Sequence, residues 1–264
     1  MAEMTTTSTC RRSCAAEASR SVPDALDTGH VSVRVRRVST TRAGGVSAPP
    51  FDTFNLGDHV GDDPAAVAAN RARLAGAIGL ADRVVWMNQV HGDRVEVVDE
   101  PRDSAVDDTD ALVTSTPRLA LAVVTADCVP VLMADDRAGV IAAVHAGRVG
   151  AQRGVVTRAV EAMLGLGAQV GDISVLLGPA VSGRNYEVPA AMADEVEAAL
   201  PGSRTTTAAG TPGLDLRSGI ACQLRDLGVT SIDVDPRCTV ADQSLFSHRR
   251  GAPTGRLAAL VWME

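Results

Sequence analysis

The chain contains no lysine, and all 25 basic residues among its 264 are arginine. Schiff-base catalysis, covalent attachment of pyridoxal phosphate and phosphate binding by a P-loop each require the amine of a lysine. All three mechanisms are therefore excluded, whether or not the arginine bias itself has a functional cause.

Aromatic residues and net positive charge are also lacking: aromatic residues make up 2% of the chain, and the formal net charge is −7. Nucleic-acid binding relies on basic surfaces and often on stacking rings, so we expect no nucleic-acid partner. No apolar run approaches the roughly 18 residues of a membrane span, and the N-terminus has no apolar stretch typical of a signal peptide. We expect a cytoplasmic protein without a membrane partner, and these features leave its oligomeric state open.

Cysteine is rare and irregularly spaced, with five residues at positions 10, 14, 128, 222 and 238. An odd number without regular spacing argues against a disulfide framework and fits a reducing compartment. Hydrophobic residues make up 45% of the chain and no linker divides it, so one large core is expected. We predict a disordered N-terminal extension at residues 1–29, rich in Ser, Thr, Ala and Arg, and a single catalytic domain at residues 30–264.

The segment from 119 to 150 contains three apolar runs, LALAVVT, VPVLMA and GVIAAV. Continuous apolar runs of this length, bounded by Pro, Gly and Asp, are typical of buried strands. Cys128 follows the first run closely, and His145 follows the third directly. The turn sequence at 135–139 predicts that the second and third strands form a hairpin, which would bring Cys128 towards His145.

A further histidine occupies the same kind of position. Residues 83–90, RVVWMNQV, predict a strand that runs into His91 and Gly92 as a tight turn. Further strands are predicted over 31–38, 94–98, 173–180, 231–234 and 256–262, and helices over 64–78, 150–164, 189–200 and 214–227. This order of elements predicts an α+β fold with mixed β-sheets flanked by helices, and it places His91, Cys128 and His145 at strand ends.

One thiol and two imidazoles at strand ends form a candidate metal site. Their spacing is too long for a structural zinc finger, whose ligands come in close pairs, and three protein ligands leave a fourth tetrahedral position for water or substrate. This pattern predicts a catalytic zinc ion bound by His91, Cys128 and His145, and copper is possible by affinity order. Such a metal activates a bound water or polarises a substrate.

Two other interpretations of the same residues remain open. In the first, the enzyme is metal-free, Cys128 is the nucleophile, His145 is the general base, and Asp127 or another acid orients the histidine. In the second, the protein is a binding module with a structural zinc ion, and His59 or His248 completes its ligand set.

A small-molecule substrate would need polar contacts outside the cluster. The long loop at 40–63 contains Arg42 and Asn55, and the predicted helix that follows contains Arg71. Long ordered loops are often functional, so these three residues are predicted to bind substrate, and Arg42 or Arg71 is a candidate for holding phosphate. Arg42 and Asn55 are equally suited to satisfying loop carbonyls. The sequence His248-Arg249-Arg250 fits either an anion site or a solvated surface.

Several long motifs occur in order between residues 31 and 264: TTRAGGVSAPPFDTFNLGDHVGDDP, NQVHG, TDALVT, TADCVPVLMAD, HAG, LGPAVSGRNYEV, LDLR and TGRLAALVW. They resemble the motifs of the family variously called laccase-domain protein, polyphenol oxidase, purine nucleoside phosphorylase and peptidoglycan editing factor. The resemblance implies that the histidine of QVHG, the cysteine of ADC and the histidine of HAG bind zinc, which here are His91, Cys128 and His145. One motif departs, because the family's usual HAGWRG reads HAGRVG here, with Arg148 in the place of the tryptophan.

The same resemblance implies phosphorolysis of adenosine, inosine and methylthioadenosine, together with deamination of adenosine. The runner-up is zinc-assisted hydrolysis of an amide on a cell-wall precursor. The laccase label fits less well, because a multicopper oxidase needs several copper centres ligated largely by histidine and this chain has five histidines. Copper bound adventitiously would support weak oxidation at most.

Overall fold

The computed structural model describes residues 33–264. The predicted disordered extension at 1–29, with Cys10 and Cys14, lies outside the described residues. The strands are β1 Val35–Ser39, β2 Val84–Val85, β3 Val95–Val97, β4 Ala111–Thr114, β5 Ala120–Thr125, β6 Val129–Asp135, β7 Val140–Ala146, β8 Ser174–Leu177, β9 Arg204–Thr206, β10 Pro212–Leu214, β11 Ser231–Val234 and β12 Leu257–Met263. The α-helices are α1 Pro64–Ala77, α2 Arg148–Gln152, α3 Val155–Gly165, α4 Ala190–Ala199 and α5 Leu216–Asp226.

The strands form two large sheets and a two-stranded ribbon. The first sheet has the order β1-β12-β5-β2, the second has the order β11-β8-β6-β7-β4-β3, and β9 pairs with β10. Both large sheets contain parallel and antiparallel pairs. The prediction of an α+β fold with mixed sheets and flanking helices is therefore confirmed.

The two large sheets pack face to face, and helices cover their outer faces. Alternate residues of β5, β6 and β7 explain this arrangement, because successive side chains of a strand point to opposite faces. Leu121, Leu132 and Ile141 belong to the apolar cluster between the sheets. Ala122 packs on the α1 side of the first sheet, whereas Val131 packs on the α3 and α5 side of the second. Strands buried on both faces need continuous apolar runs.

The β6–β7 hairpin has the predicted topology. The strands pair antiparallel with Pro130 opposite His145 and Asp135 opposite Val140. The Asp135 carboxylate accepts hydrogen bonds from the backbone amides of Arg137 and Ala138 and so closes the turn. This register places Cys128, which directly precedes β6, at the same end of the hairpin as His145.

Two elements differ from the prediction. The helix predicted over 150–164 is two helices, because Gly154 adopts the left-handed conformation with φ +82° and breaks the helical path between α2 and α3. The strand predicted over 83–90 is limited to β2 because the backbone of Trp86 and Asn88 pairs with Val106 instead of β5. Further along, the Gln89 side chain takes the place of the backbone beside β5. Its amide donates to the Val124 carbonyl and accepts from the Val124 amide, both at 2.8 Å.

The short strands β4, β9 and β10 were not predicted as elements of their own. They have three or four residues each, which is too short for a periodic signal. Within residues 33–264, no helix is long and apolar enough to cross a membrane.

Candidate metal centre

The structure brings His91, Cys128 and His145 together. Their potential ligand atoms all lie within 4.8 Å of one another. The Cys128 Sγ is 3.9 Å from the His91 Nε2, and the two imidazole rings meet edge to face with their centroids 4.8 Å apart. The three side chains thus converge on one point, although they are widely separated in sequence.

Gly147 leaves the space into which these side chains converge. A Cβ at position 147 would lie 2.8 Å from the Cδ2 of His91, 3.3 Å from the Sγ of Cys128 and 3.5 Å from the Cε1 of His145. The first of these distances is shorter than van der Waals contact allows. A residue without a side chain is therefore required directly beside the cluster, just after β7 ends.

A buried carboxylate, Asp110, contacts the side chain of His145 and the backbone of His91. It directly precedes β4 and is inaccessible to solvent. Its Oδ1 accepts hydrogen bonds from the His145 Nδ1 at 2.8 Å and the His91 amide at 3.0 Å. Its Oδ2 accepts from the amides of Gly92 at 2.7 Å and Val90 at 3.2 Å.

These hydrogen bonds have two consequences. A carboxylate accepts only, so the Nδ1 of His145 carries a proton, and the Nε2 is turned towards the cluster. The loop before β3 is tied to the same carboxylate, and this holds His91 in the left-handed region at φ +58°. Burial would raise the pKa of Asp110, but the hydrogen bonds from His145 and the Gly92 amide outweigh it and lower the pKa.

Cys128 and His145 shift each other's ionisation. Burial would raise the pKa of the Cys128 thiol, but the charge of His145 and hydrogen bonds from both histidines lower it to about 6. Burial would lower the pKa of His145, but the Cys128 thiolate and Asp110 raise it to about 9. The thiolate is therefore the favoured form of Cys128, which is also the form that binds metals and attacks electrophiles.

The cluster lies in a cleft of about 320 Å³. His59 and His248, the two candidates for a fourth metal ligand, line this cleft but do not belong to the cluster of three. Within residues 33–264, the cluster therefore offers three potential protein ligands and has an open side facing the cleft, an arrangement that resembles catalytic rather than structural metal sites.

Asp127 lines the cleft but does not orient His145. Its Oδ1 accepts hydrogen bonds from the hydroxyls of Thr239 and Ser247, each at 2.6 Å, and its Oδ2 accepts from the Arg249 amide at 2.6 Å. Its backbone is in a positive-φ conformation at φ +105°. Asp127 therefore ties the cysteine-containing turn to the segment after β11, and the acid beside His145 is Asp110.

The three predicted substrate contacts lie outside the lining of the cleft. Arg42 donates to the carbonyl and carboxylate of Asp52. Asn55 is fully buried, donates to the carbonyl of Gly57 at 3.0 Å and accepts from the Arg256 amide at 2.8 Å. These contacts hold the loop together, and a direct role in substrate binding stays a prediction.

Arg71 is also engaged by its neighbours. It pairs with Asp58 at 3.2 Å, donates to the Leu56 carbonyl at 3.0 Å and stacks over the Trp86 ring at 4.2 Å. Its predicted role as a phosphate or substrate contact therefore remains a prediction, while its observed contacts brace the loop against α1.

Four other residues bring polar groups to the cleft: Arg148, Arg249, Arg256 and Tyr186. The Arg249 guanidinium lies 5.0 Å from the centroid of the Tyr186 ring. Arg250 points elsewhere and donates to the carbonyls of Thr239 and Asp242. In the sequence His248-Arg249-Arg250, the first two side chains thus line the cleft. The third stabilises the loop after β11 through its hydrogen bonds to backbone carbonyls.

Asp110, Tyr186 and Arg256 were not predicted as site residues. Asp110 belongs to the TDALVT motif, where a carboxylate beside a short buried strand was the available signal. Tyr186 is the single tyrosine of the chain, and Arg256 begins the final apolar run. The sequence positions of Tyr186 and Arg256 did not indicate a role in the site, because the cleft is formed by segments that are far apart in the sequence.

The donor set fits a transition metal. One thiolate and two imidazoles suit zinc and also copper, the Asp110 contact supplies the second hydrogen bond that ligand histidines commonly have, and Gly147 leaves room beside the ligand atoms. A ligand histidine must be neutral, so metal binding would release the Nε2 proton of His145. The cluster can bind a metal ion.

Fold and site together define a class of protein: an α+β domain with a three-residue candidate metal site in a cleft. The sequence model of the family described as "Multi-copper polyphenol oxidoreductase laccase" matches residues 36–264, and the chain belongs to this family. Its similarity to individual proteins gives a second description. A protein of Mycobacterium tuberculosis strain H37Rv named purine nucleoside phosphorylase is 87% identical over 239 residues, which cover 90% of this chain and 96% of that protein.

One further relative and one solved structure are similar to most of the chain. A purine nucleoside phosphorylase of Mycobacterium leprae is 63% identical, over 90% of this chain and 98% of its own length. Among solved structures, YlmD from Geobacillus stearothermophilus superposes with a TM-score of 0.81 at 33% identity, covering 86% of this chain and 92% of that chain. The family resemblance read from the sequence motifs is thus confirmed.

Proposed function

We propose that this protein is a zinc-dependent purine nucleoside enzyme that catalyses phosphorolysis of adenosine, inosine and methylthioadenosine and deamination of adenosine. The observation that carries the proposal is the cluster of His91, Cys128 and His145, which is open on one side to a cleft of about 320 Å³. A cleft of this volume suits a small molecule. The names of the mycobacterial relatives point to purine nucleosides as the substrate class.

Each residue of the site has a role in this proposal. His91, Cys128 and His145 hold the metal, and Asp110 holds both histidines in the geometry that binding requires. Bound zinc would supply Lewis-acid chemistry, by activating water or by polarising the substrate. Tyr186, Arg148, Arg249 and Arg256 would bind and orient the nucleoside and its reaction partner in the cleft.

The laccase activity suggested by the family description is not part of the proposal. Copper can replace zinc in such a donor set, but a multicopper oxidase needs several copper centres. Residues 33–264 contain four histidines, and two of them, His59 and His248, stand apart from the cluster. Oxidation by copper-loaded protein would therefore be weak and adventitious.

The experiment is a nucleoside panel on protein of measured metal content. Adenosine should yield inosine without phosphate, and it should yield adenine and ribose 1-phosphate only when phosphate is supplied. Metal analysis should give close to one zinc ion per chain. The proposal fails if neither product forms with zinc-loaded protein. A cell-wall precursor with L-serine in place of L-alanine belongs in the same panel, because its cleavage would favour the editing function instead.

A metal-free cysteine hydrolase is the second candidate, and one observation favours it. Cys128 and His145 have the shifted pKa values of a thiolate–imidazolium pair, and Asp110 orients the histidine, so the three form a nucleophile–base–acid arrangement. His91 distinguishes the two candidates, because a Cys128–His145 pair does not need it. His91→Ala should abolish activity of the zinc enzyme and leave substantial activity in a cysteine hydrolase.

A further inference from the structure

Three arginines face the cleft without a carboxylate partner. Within residues 33–264, no carboxylate oxygen lies within 4.0 Å of the guanidinium groups of Arg148, Arg249 or Arg256. By contrast, Arg42 and Arg71 are already paired with Asp52 and Asp58. The cleft therefore offers positive charge that the protein itself does not neutralise by direct pairing.

The one aspartate in the cleft lining attracts Arg256 but forms no ion pair with the three arginines. The Asp127 carboxylate accepts three hydrogen bonds, from two hydroxyls and a backbone amide. Its lone pairs are thus largely used, and it pairs with none of the three guanidinium groups. Asp127 and the Cys128 thiolate attract Arg256 without a direct ion pair, and the charge of the other two arginines favours a further anion in the cleft.

The guanidinium groups of Arg148 and Arg256 form hydrogen bonds within the protein that use only some of their N–H donors. Arg148 donates from one nitrogen to Gln152 Oε1 at 3.0 Å. Arg256 donates from one nitrogen to the carbonyls of Thr254 and Gly255. A guanidinium has five N–H donors, so each side chain is positioned while several donors remain for a ligand.

The Arg256 side chain is also fixed along its length. Its amide donates to Asn55 Oδ1 at 2.8 Å, and a Cβ at Gly57 would lie 2.6 Å from the Arg256 Cγ. The loop at 55–57 therefore packs directly on the stem of this arginine. Asn55, predicted as a substrate contact, acts in this arrangement through Arg256.

We propose that Arg148, Arg249 and Arg256 form an oxyanion subsite that binds inorganic phosphate as the co-substrate of the reaction. This inference rests on the proposed phosphorolysis. Arginine is suited to the role because its planar fork donates two parallel hydrogen bonds to phosphate oxygens. Arg148 lies at the start of α2, directly after the turn that carries Gly147, and so faces the cleft next to the cluster. The subsite thus replaces Arg42 and Arg71 as the phosphate contact.

The reaction at this subsite balances as follows. A phosphate oxygen forms a bond to C1′ of the ribose while the bond from C1′ to the purine nitrogen breaks. The electron pair of the broken bond goes to that nitrogen, which takes up a proton from solvent. Ribose 1-phosphate and the free purine base leave, and no oxidant or reductant is needed.

The test compares phosphate binding with nucleoside binding in full-length, zinc-loaded protein. The variants are Arg148→Gln, Arg249→Gln, Arg256→Gln and, as a matched charge control, Arg153→Gln, whose side chain is exposed beyond α2 and does not line the cleft. Calorimetry with inorganic phosphate should show Kd raised about tenfold or more in the first three, since hydrogen bonds to charged groups have this magnitude. The control should bind phosphate like the unmodified protein.

Kinetics provide the second readout. KM for phosphate should rise in parallel with Kd in the three glutamine variants, and phosphorolysis should fall more than the phosphate-independent formation of inosine. Arg153→Gln, which lies outside the cleft, should leave both reactions unchanged. Arg148→Lys keeps the charge but loses the fork, so an intermediate Kd is expected. If a glutamine variant fails to fold or to retain zinc, the lysine variant supplies the comparison.

The outcomes separate the sources of the anion and the two proposals. Unchanged phosphate affinity in the folded Arg148, Arg249 and Arg256 variants would overturn the subsite. Binding of adenosine 5′-monophosphate without binding of free phosphate would also overturn it, because the anion would then belong to a phosphorylated substrate. If phosphate binds and Arg148→Gln removes the binding, yet no nucleoside is cleaved, the subsite stands and the proposed phosphorolysis fails.

Discussion

At the scale of single residues, Asp110 connects the two histidines of the cluster. One carboxylate accepts from the His145 ring and from three consecutive amides around His91. The His145 amide also donates to the Asp110 carbonyl at 2.8 Å. A single buried side chain therefore determines the tautomer of one ligand and the backbone position of another.

Replacing this carboxylate should weaken metal binding more than it weakens the fold. We expect Asp110→Asn to reduce zinc affinity about 10- to 100-fold, which is the usual effect of losing a group that orients metal ligands. Competition with a chromogenic chelator measures the affinity. Asp107→Asn is the control, because Asp107 is exposed and its backbone carbonyl, which the substitution keeps, accepts hydrogen bonds from Arg94 and Thr109. An unchanged affinity in Asp110→Asn would show that Asp110 does not position the ligands.

Cys128 gives a second test at this scale. In metal-free protein its pKa of about 6 lies below the ordinary value because of His145 and His91. Since the thiolate is the reactive form, alkylation by iodoacetamide should rise through about pH 6 and level off near neutrality. An unperturbed cysteine would still gain reactivity up to about pH 8.5. Mass spectrometry of the labelled peptide separates Cys128 from Cys222 and Cys238.

Metal binding should reverse this reactivity. A coordinated thiolate is protected, so zinc-loaded protein should be alkylated slowly at Cys128, and Cys128→Asp should retain measurable zinc with residual turnover because a carboxylate can also bind zinc. Rapid alkylation of the loaded protein, with activity lost in step and no metal released, would contradict the ligand role and favour the cysteine hydrolase.

At the scale of elements, the β6–β7 hairpin and the turn that follows it build the site. The hairpin could be predicted because both strands are apolar throughout and a turn sequence separates them. The extent of β2 could not be predicted, because the backbone after it pairs with Val106 and the Gln89 side chain replaces backbone pairing with β5. A periodic pattern of apolar residues does not reveal either change. Asp110 was not predicted for a related reason. It is a single carboxylate next to a four-residue strand, and its hydrogen-bond partners come from other segments of the chain.

The turn after β7 offers a sharp test of how closely the cluster is packed. Gly147 has φ −72°, which any residue can adopt, so Gly147→Ala adds a methyl group without backbone strain. That methyl group would lie 2.8 Å from the His91 ring and should displace it, and zinc affinity should fall at least about tenfold. Gly165→Ala is the control, since its Cβ would meet no atom within 4 Å. Full zinc affinity in Gly147→Ala would mean that His91 can move without leaving the metal.

At the scale of the whole molecule, the core and the cluster are largely independent. The apolar residues between the two sheets and those beneath the helices are buried without help from the cluster. His91, by contrast, is exposed, and Cys128 is half-buried. The strands buried on both faces were predictable from composition and run length, whereas the cleft required segments around 59, 89, 148, 186 and 249 to meet in space.

This independence predicts the effect of removing the metal. A ligand that binds only the native state stabilises it by about 2.7 kcal/mol at a concentration 100 times Kd, which for a domain of this size corresponds to a Tm shift of about 5–10 °C. We therefore expect chelation to lower Tm by this amount and to leave a cooperatively folded protein, as judged by scanning calorimetry and circular dichroism. Cys128→Ala serves as the control, and its Tm should not respond to chelator. A structural zinc module would behave differently, because its fold depends on the metal. Loss of the cooperative transition on chelation would thus contradict the catalytic assignment.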